Sequence, residues 1–166
     1  KTTVPVTFPC KTGLYDGRQM IVACFERNTN LVGQPSLTLF RKVSARRGFD
    51  RRFTGHMDYE MWCHLLEQGD FMHLAEPLAT WRVHAGQQTA RSQESGLLDH
   101  EHLLFMETYF AKSWLRELAS ERMLSTQFYH LDKKYGKKAL PLTSVMRSQI
   151  PPGRYAWWWL QHKVSR

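Results

Sequence analysis

The sequence predicts a mixed α/β fold, in which a partial mixed sheet with flanking helices is followed by a helical C-terminal extension. Two observations predict it. Short stretches of alternating apolar and polar residues are interspersed with stretches whose apolar residues lie three and four apart, and from residue 93 to residue 131 only the helical spacing is found. The predicted strands are too few for a complete doubly wound sheet.

The first half of the chain is predicted to alternate between short strands and helices. Residues 1–18 alternate Val and Phe with Thr and Pro, which indicates an extended segment, and Pro5 and Pro9 argue against an interior strand. Apolar spacing predicts a helix over residues 17–28, a strand over residues 36–42, a helix over residues 59–67, and strands over residues 71–75 and 78–83.

The second half is predicted to be helical. Apolar residues spaced three and four apart predict one long helix over residues 94–120. They form the stripe Leu103, Met106, Phe110, Trp114 and Leu118. A further helix is predicted over residues 121–131. Proline and glycine interrupt the pattern after residue 140.

Composition excludes several classes of protein. An apolar content of 42% in 166 residues argues against disorder and allows one domain with a real core. No apolar run reaches the ~18 residues of a membrane span, so no spanning helix is predicted. Three scattered cysteines without a C-x-x-C pair favour a reducing compartment. No apolar leader follows Lys1, and we expect a cytoplasmic location.

The positive charge is concentrated at the C-terminal end. The last 36 residues contain eight basic residues and one acidic residue, whereas the first 130 residues contain 15 basic and 14 acidic residues. Trp157, Trp158 and Trp159 lie in this basic tail, and aromatic residues beside Lys and Arg suit a membrane–water interface. Alternatively, the three tryptophans pack onto the domain and the lysines are simply solvated.

Several chemical motifs are missing from the sequence. It contains neither G-x-G-x-x-G nor a P-loop, and it has no D-x-D pair. Its eight histidines and three cysteines lack the spacing of a structural zinc site, and neighbours within residues 99–102 do not share a helical face. No phosphate-cradling loop and no zinc site are therefore predicted.

Residues 30–89 carry a series of short motifs in a definite order. The series is Asn30, Pro35-Ser36, Phe40-Arg41, Gly48-Phe49-Asp50, Asp58 ahead of Trp62, Gly69, Glu76-Pro77-Leu78 and Trp81-Arg82-Val83-His84. In this order it resembles the second half of family-two glycosyltransferases of the GT-A fold. The resemblance extends from about residue 17 to about residue 91.

The resemblance implies an inverting transfer of a sugar from a nucleotide-sugar donor to a hydroxyl of a glycan or lipid-linked acceptor, in cell-surface polysaccharide synthesis. In that family, a first half binds the nucleotide and ends in a D-x-D motif that holds Mn²⁺ or Mg²⁺. We expect that half to lie upstream or to act in trans. The predicted domains are then the acceptor-side half of a GT-A domain (1–92), a helical extension (93–131) and a basic, Trp-rich tail (132–166).

Asp58 is the predicted catalytic residue. It matches the second member of the family's acidic pair, an aspartate, and the resemblance implies that it is the base, although Met57 stands where the family commonly has Glu. A carboxylate at a helix start is well suited to take the proton of an acceptor hydroxyl. Asp is also a preferred N-cap residue, so Asp58 alternatively caps the helix that follows; both roles are compatible.

Further site residues follow from the resemblance. Strand alternation puts Arg82 and His84 on one face, and the resemblance implies that they hold the donor diphosphate, with His84 as a metal ligand. The alternative is a surface arginine and a hydrogen-bonded histidine. Arg51, Arg52 and Trp81 are candidates for the acceptor side, with a solvated loop and a packing role as their alternatives.

Two other functions compete with this one. The first is a non-catalytic module that binds an anionic membrane surface or a partner through the basic tail. The second is a nucleic-acid-binding protein, which has the charge but none of the usual motifs. We expect no nucleic-acid partner.

Overall fold

The computed structural model describes residues 2–5, 11–83, 97–139 and 146. Within these residues the chain is mixed α/β and mostly helical. It divides into two compact units: unit 1 comprises Lys1–Ile21 and Asn30–Phe105, and unit 2 comprises Val22–Thr29 and Met106–Arg166. The domain boundaries after residues 92 and 131 stay predictions.

The described elements follow one another as short strands and helices. The strands are β1 (Thr2–Pro5), β2 (Gly13–Tyr15), β3 (Phe71–His73) and β4 (Thr80–Val83). The helices are α1 (Gly17–Arg27), α2 (Met57–Leu66), α3 (Leu97–Phe110), α4 (Ser113–Leu118) and α5 (Glu121–Tyr135). Single 3₁₀ turns cover Pro35–Leu37, Lys42–Ala45 and Gly136–Ala139. Among these helices, none has both the length and the apolar character to cross a bilayer.

Both sheets belong to unit 1 and are antiparallel. Strand β1 pairs with β4, with Thr2 opposite Val83, and β2 pairs with β3, with Gly13 opposite His73. The described residues form no sheet of more than two strands, so a GT-A-type mixed sheet is not shown. Among the described residues β1, which contains Pro5, pairs with β4, and whether this segment lies inside a sheet stays a prediction.

The predicted strand over residues 36–42 is wrong. Pro35 begins a 3₁₀ turn, in which the Leu37 amide donates to the Gln34 carbonyl at 2.9 Å and the Thr38 hydroxyl donates to the same carbonyl at 3.1 Å. These local bonds take the backbone groups that a strand would use. The apparent alternation also has no buried face, since Leu39 is 99% exposed.

Helix α1 confirms the predicted helix over residues 17–28. Its first turn is capped by Asp16, whose Oδ1 accepts from the Gln19 amide at 2.8 Å. Gly17 is required by a close approach, because a Cβ there would overlap the carbonyl oxygens of Leu66 and Gly69. This contact fixes the start of α1 against the end of α2.

The predicted long helix over residues 94–120 is in fact interrupted. Helix α3 ends at Phe110, and Lys112 is extended (φ −77°, ψ 125°) before α4 begins. The Arg116 guanidinium donates to the carbonyls of Phe110 at 3.1 Å and Ala111 at 3.3 Å, which satisfies acceptors that the break exposes. The helix predicted over residues 121–131 is confirmed as α5, whose first turn is capped by the Ser120 hydroxyl.

Each unit has its own apolar core. In unit 1 it includes Ile21, Leu31, Phe53, Met61, Trp62, Cys63 and Phe105. In unit 2 it includes Cys24, Phe25, Tyr109, Phe110, Leu115, Met123 and Leu131. Phe25 meets Phe110 edge to face, with ring centroids 5.7 Å apart. Cys24 and Cys63 are both buried in these cores.

Candidate functional site

A buried carboxylate anchors the loop that leads into α2. Glu101 lies on α3 and is 1% exposed. Its Oε1 accepts from the amide and the hydroxyl of Thr54, both at 2.7 Å, and its Oε2 accepts from the amides of Gly55 and His56, both at 2.8 Å. Three successive backbone amides and one hydroxyl therefore converge on a single side chain.

The donors around Glu101 determine its charge state. Burial alone raises the pKa of Glu101, but the amide and hydroxyl of Thr54, together with the amides of His56 and Gly55, outweigh burial and leave the pKa below its usual value. The carboxylate is therefore ionised, and its hydrogen bonds are charge-assisted. Gly55 suits this close packing, because a Cβ there would overlap the Leu98 side chain.

Asp58 lies in the first turn of α2, directly after this anchored loop. Its side chain is half-buried, and its Oδ1 accepts from the Tyr59 amide at 2.7 Å. Burial raises the pKa of Asp58, and the backbone amides of Tyr59 and Asp58 and the charge of His56 oppose the rise only in part. The N-cap interpretation of Asp58 is wrong, because the cap position of α2 is His56 and Asp58 is already inside the helix.

A second carboxylate in the same turn has a different environment. Glu60 is buried, and both of its oxygens accept from the Arg47 guanidinium, at 2.8 and 2.6 Å. Among the described residues, by contrast, Asp58 forms no ion pair with Lys or Arg. Of the two acidic side chains at the start of α2, Glu60 is therefore bound to a guanidinium, whereas Asp58 has no such partner among the described residues.

The two arginines predicted for the acceptor side also differ. The Arg52 guanidinium donates to Asp50 at 2.7 Å, and this hydrogen bond is the main reason why the pKa of Asp50 lies below its usual value. Arg51 is exposed and forms no ion pair with any residue that the structure describes. Arg51 is thus the cation of this pair that is open to an anionic ligand.

The motif residues Asn30, Gly33 and Trp62 are linked by hydrogen bonds. Asn30 Oδ1 accepts from the amides of Val32 at 3.0 Å and Gly33 at 3.1 Å, and Gly33 has φ 101°, which favours glycine. The Trp62 indole donates to the Gly33 carbonyl at 2.7 Å and is 1% exposed. Trp62 is therefore part of the core of unit 1.

Several predicted site residues cannot be placed in this geometry. Trp81 and Arg82 lie in β4 opposite Val4 and Thr3, and this register describes their backbone. His84, Trp157, Trp158 and Trp159 lie outside the described residues. The predicted pairing of Arg82 with His84 on one face stays a prediction.

Unit 1 also contains a groove of about 680 Å³. Its lining includes Phe40, Arg41, Trp62, Gln68 and His73, and it does not include Asp58. Phe40 and Trp62 contact each other there, with ring centroids 5.7 Å apart. The groove is therefore a feature separate from the turn that holds Asp58.

The described residues do not form an evident metal centre. Within residues 2–5, 11–83, 97–139 and 146, no group of three His, Cys, Asp or Glu side chains could hold a metal ion. The predicted ligand His84 lies outside these ranges. Within them, the candidate site is therefore defined by its carboxylates and arginines.

Sequence reasoning missed the role of Glu101. The signal that could have found it is its spacing, since Glu101 stands one helical turn before Phe105 on the apolar side of a helix. A carboxylate on such a stripe requires donors from elsewhere. Its partners, however, lie 45 to 47 residues away in the sequence, and no local pattern identifies them.

The fold and the site define a mixed α/β chain with a half-buried carboxylate held at the start of a helix. Comparison of the chain with models of protein families, with curated proteins and with solved structures finds no match.

Proposed function

We propose that the chain is the acceptor-side half of an inverting, family-two-type glycosyltransferase, with Asp58 as the catalytic base. It acts together with a nucleotide-binding half, supplied upstream or in trans. The proposal rests on the ordered motifs of residues 30–89 and on the environment of Asp58.

The observation that carries the proposal is the raised pKa of a fixed carboxylate. Asp58 sits in the first turn of α2, and the loop before that turn is held by four hydrogen bonds to Glu101. Burial raises the pKa of Asp58 above its usual value, and a carboxylate with a raised pKa is a stronger base for a hydroxyl proton. Position and basicity therefore support the same role.

In the proposed reaction, Asp58 accepts the proton of the acceptor hydroxyl while the hydroxyl oxygen attacks C1 of the donor sugar. The bond between C1 and the diphosphate oxygen breaks, and the nucleoside diphosphate leaves. Arg82 and His84 are the proposed contacts for that diphosphate, and Arg51, Arg52 and Trp81 are proposed for the acceptor. A divalent metal would neutralise charge on the diphosphate in the intact enzyme.

The test uses a protein that contains both halves. The reading frame upstream of Lys1 is determined, the complete protein is produced, and release of nucleoside diphosphate is measured with a panel of nucleotide sugars and acceptors. We expect Asp58→Asn to lower turnover by about 10²-fold or more, as is typical for loss of a general base. A helical circular-dichroism spectrum unchanged from the parent shows that the variant folds.

Asp70→Asn is the matched control. Asp70 is an exposed carboxylate just before β3, and its loss should leave turnover unchanged. A folded Asp58→Asn protein with parental turnover would refute the role of Asp58. Absence of transfer with every donor, from a protein that has both halves, would refute the proposed reaction.

A further inference from the structure

Exposed apolar and cationic side chains are interspersed along residues 39–52, named here the basic segment. Leu39 is 99% exposed, Val43 55% and Phe49 48%. The segment contains six Lys and Arg residues and a single acidic residue, Asp50. Exposed apolar side chains that are grouped together and rimmed by charged residues are typical of surfaces that bind a partner or a membrane.

Ion pairs account for only two of the six cations. Arg47 is held by Glu60, and Arg52 is held by Asp50. The other four are exposed and form no ion pair with the residues described; they are Arg41, Lys42, Arg46 and Arg51. The basic segment therefore presents four cations that are available to an anionic partner.

A second exposed apolar stretch of unit 1 provides a contrast. Residues 70–78, named here the acidic segment, expose Met72 at 60%, Leu74 at 55% and Leu78 at 68%. The charged residues among them are Asp70 and Glu76, both exposed. Both segments thus expose apolar side chains, and they differ in the sign of their net charge.

We propose that the basic segment docks the protein onto an anionic phospholipid bilayer. The four cations contact lipid phosphates, while Leu39, Val43 and Phe49 enter the boundary between headgroups and acyl chains. A nucleic-acid backbone would use the cations equally well, but the aliphatic side chains of Leu39 and Val43 would gain nothing from it. The proposal does not depend on the glycosyltransferase assignment.

The experiment measures binding of the 166-residue chain to vesicles by co-sedimentation. Phosphatidylcholine vesicles are compared with vesicles that also contain phosphatidylglycerol. One variant carries Leu39→Ser, Val43→Ser and Phe49→Ser; a second carries Arg41→Gln, Lys42→Gln, Arg46→Gln and Arg51→Gln. The matched control carries Met72→Ser, Leu74→Ser and Leu78→Ser in the acidic segment.

The proposal requires binding to the anionic vesicles only, weakened by salt, and a loss of roughly tenfold or more in each basic-segment variant. The acidic-segment control should bind like the parent. Circular dichroism and thermal melting show whether each variant is folded, and the two basic-segment variants test the proposal independently of each other.

Three results would overturn the proposal. The first is parental binding by both folded basic-segment variants. The second is loss of binding only when Trp157, Trp158 and Trp159 are replaced by alanine, which would assign the membrane contact to the tail. The third is tight binding to duplex DNA that depends on the four cations, with no affinity for vesicles.

Discussion

Glu101 and Asp58 show that hydrogen-bond donors, and not burial alone, determine the pKa of a carboxyl group. Glu101 is more deeply buried than Asp58, yet its pKa is lowered because four donors meet its oxygens. Asp58 has fewer donors, and burial raises its pKa. The first carboxylate is therefore a fixed anion that holds a loop, and the second is the one suited to exchange a proton.

The variant Glu101→Gln tests the structural role. A neutral amide replaces the charge, and its NH₂ group faces backbone amides that are themselves donors. We expect the free energy of unfolding to fall by about 2 kcal/mol at neutral pH. Urea denaturation of the parent and the variant measures the difference.

The pH dependence of this difference has a definite sign. Because the folded pKa of Glu101 lies below the unfolded value near 4.5, its contribution is fully present above that value and is lost as the pH falls through the folded pKa. The stability difference between parent and Glu101→Gln should therefore shrink in acid. Glu107→Gln, an exposed glutamate on the same helix, is the control and should have no effect; a pH-independent difference would contradict this account.

At the scale of elements, Gly17 and Gly69 lie close to the C-terminal end of α2, and replacement by alanine should affect stability differently at the two positions. Gly17→Ala places a Cβ against the backbone carbonyls of Leu66 and Gly69, which cannot move aside as a flexible side chain would. We expect a loss of about 2 kcal/mol or more, similar to other overpacked sites. Thermal melting and urea denaturation measure it.

Gly69→Ala is the matched control for that substitution. A Cβ at Gly69 meets nothing within 4 Å, and Gly69 is not among the residues with positive φ. Alanine should therefore leave stability unchanged or raise it by about 0.5 kcal/mol through the unfolded chain. Equal destabilisation by both variants would contradict the close approach of α1 and α2.

Two helices were predicted correctly because local signals determine them. Asp16 and Ser120 directly precede α1 and α5, their side chains cap the first turn, and both helices follow helical spacing. The strand predicted at residues 36–42 failed because Pro35 and Thr38 satisfy the backbone locally. The break after Phe110 was missed because an arginine beyond the break stabilises it, while the spacing of apolar residues continues across it.

In the candidate site too, local sequence patterns do not predict contacts between residues that are distant in the sequence. Asp58 is a candidate because its neighbours in sequence form a motif, but the contacts of Glu101 and the pairing of Arg47 with Glu60 join distant positions. The basic cluster at residues 46–52 was visible in the sequence. Which of its members are neutralised depends on the fold, since Glu60 reaches Arg47 only once α2 has formed.

At the scale of the whole molecule, the proposed reaction needs a proton acceptor and a cradle for a diphosphate. In the proposal, Asp58 is the proton acceptor and Arg82 and His84 are contacts for the diphosphate, but the sequence contains neither a P-loop nor a D-x-D pair that would complete the cradle. Its described residues likewise provide no group of three metal-ligating side chains. In the proposed enzyme, the rest of the diphosphate cradle therefore comes from the nucleotide-binding half.

We accordingly expect the 166-residue chain alone to transfer no sugar, because proton removal by Asp58 accelerates nothing unless a donor is held within reach of the acceptor oxygen. Isothermal titration of the chain with nucleotide sugars should show no saturable binding, and adding the nucleotide-binding half in trans should restore both binding and turnover. The same mixture containing Asp58→Asn should bind the donor like the parent and turn over about 10²-fold more slowly. Turnover by the chain alone that Asp58→Asn abolishes would show instead that these residues form a complete active site.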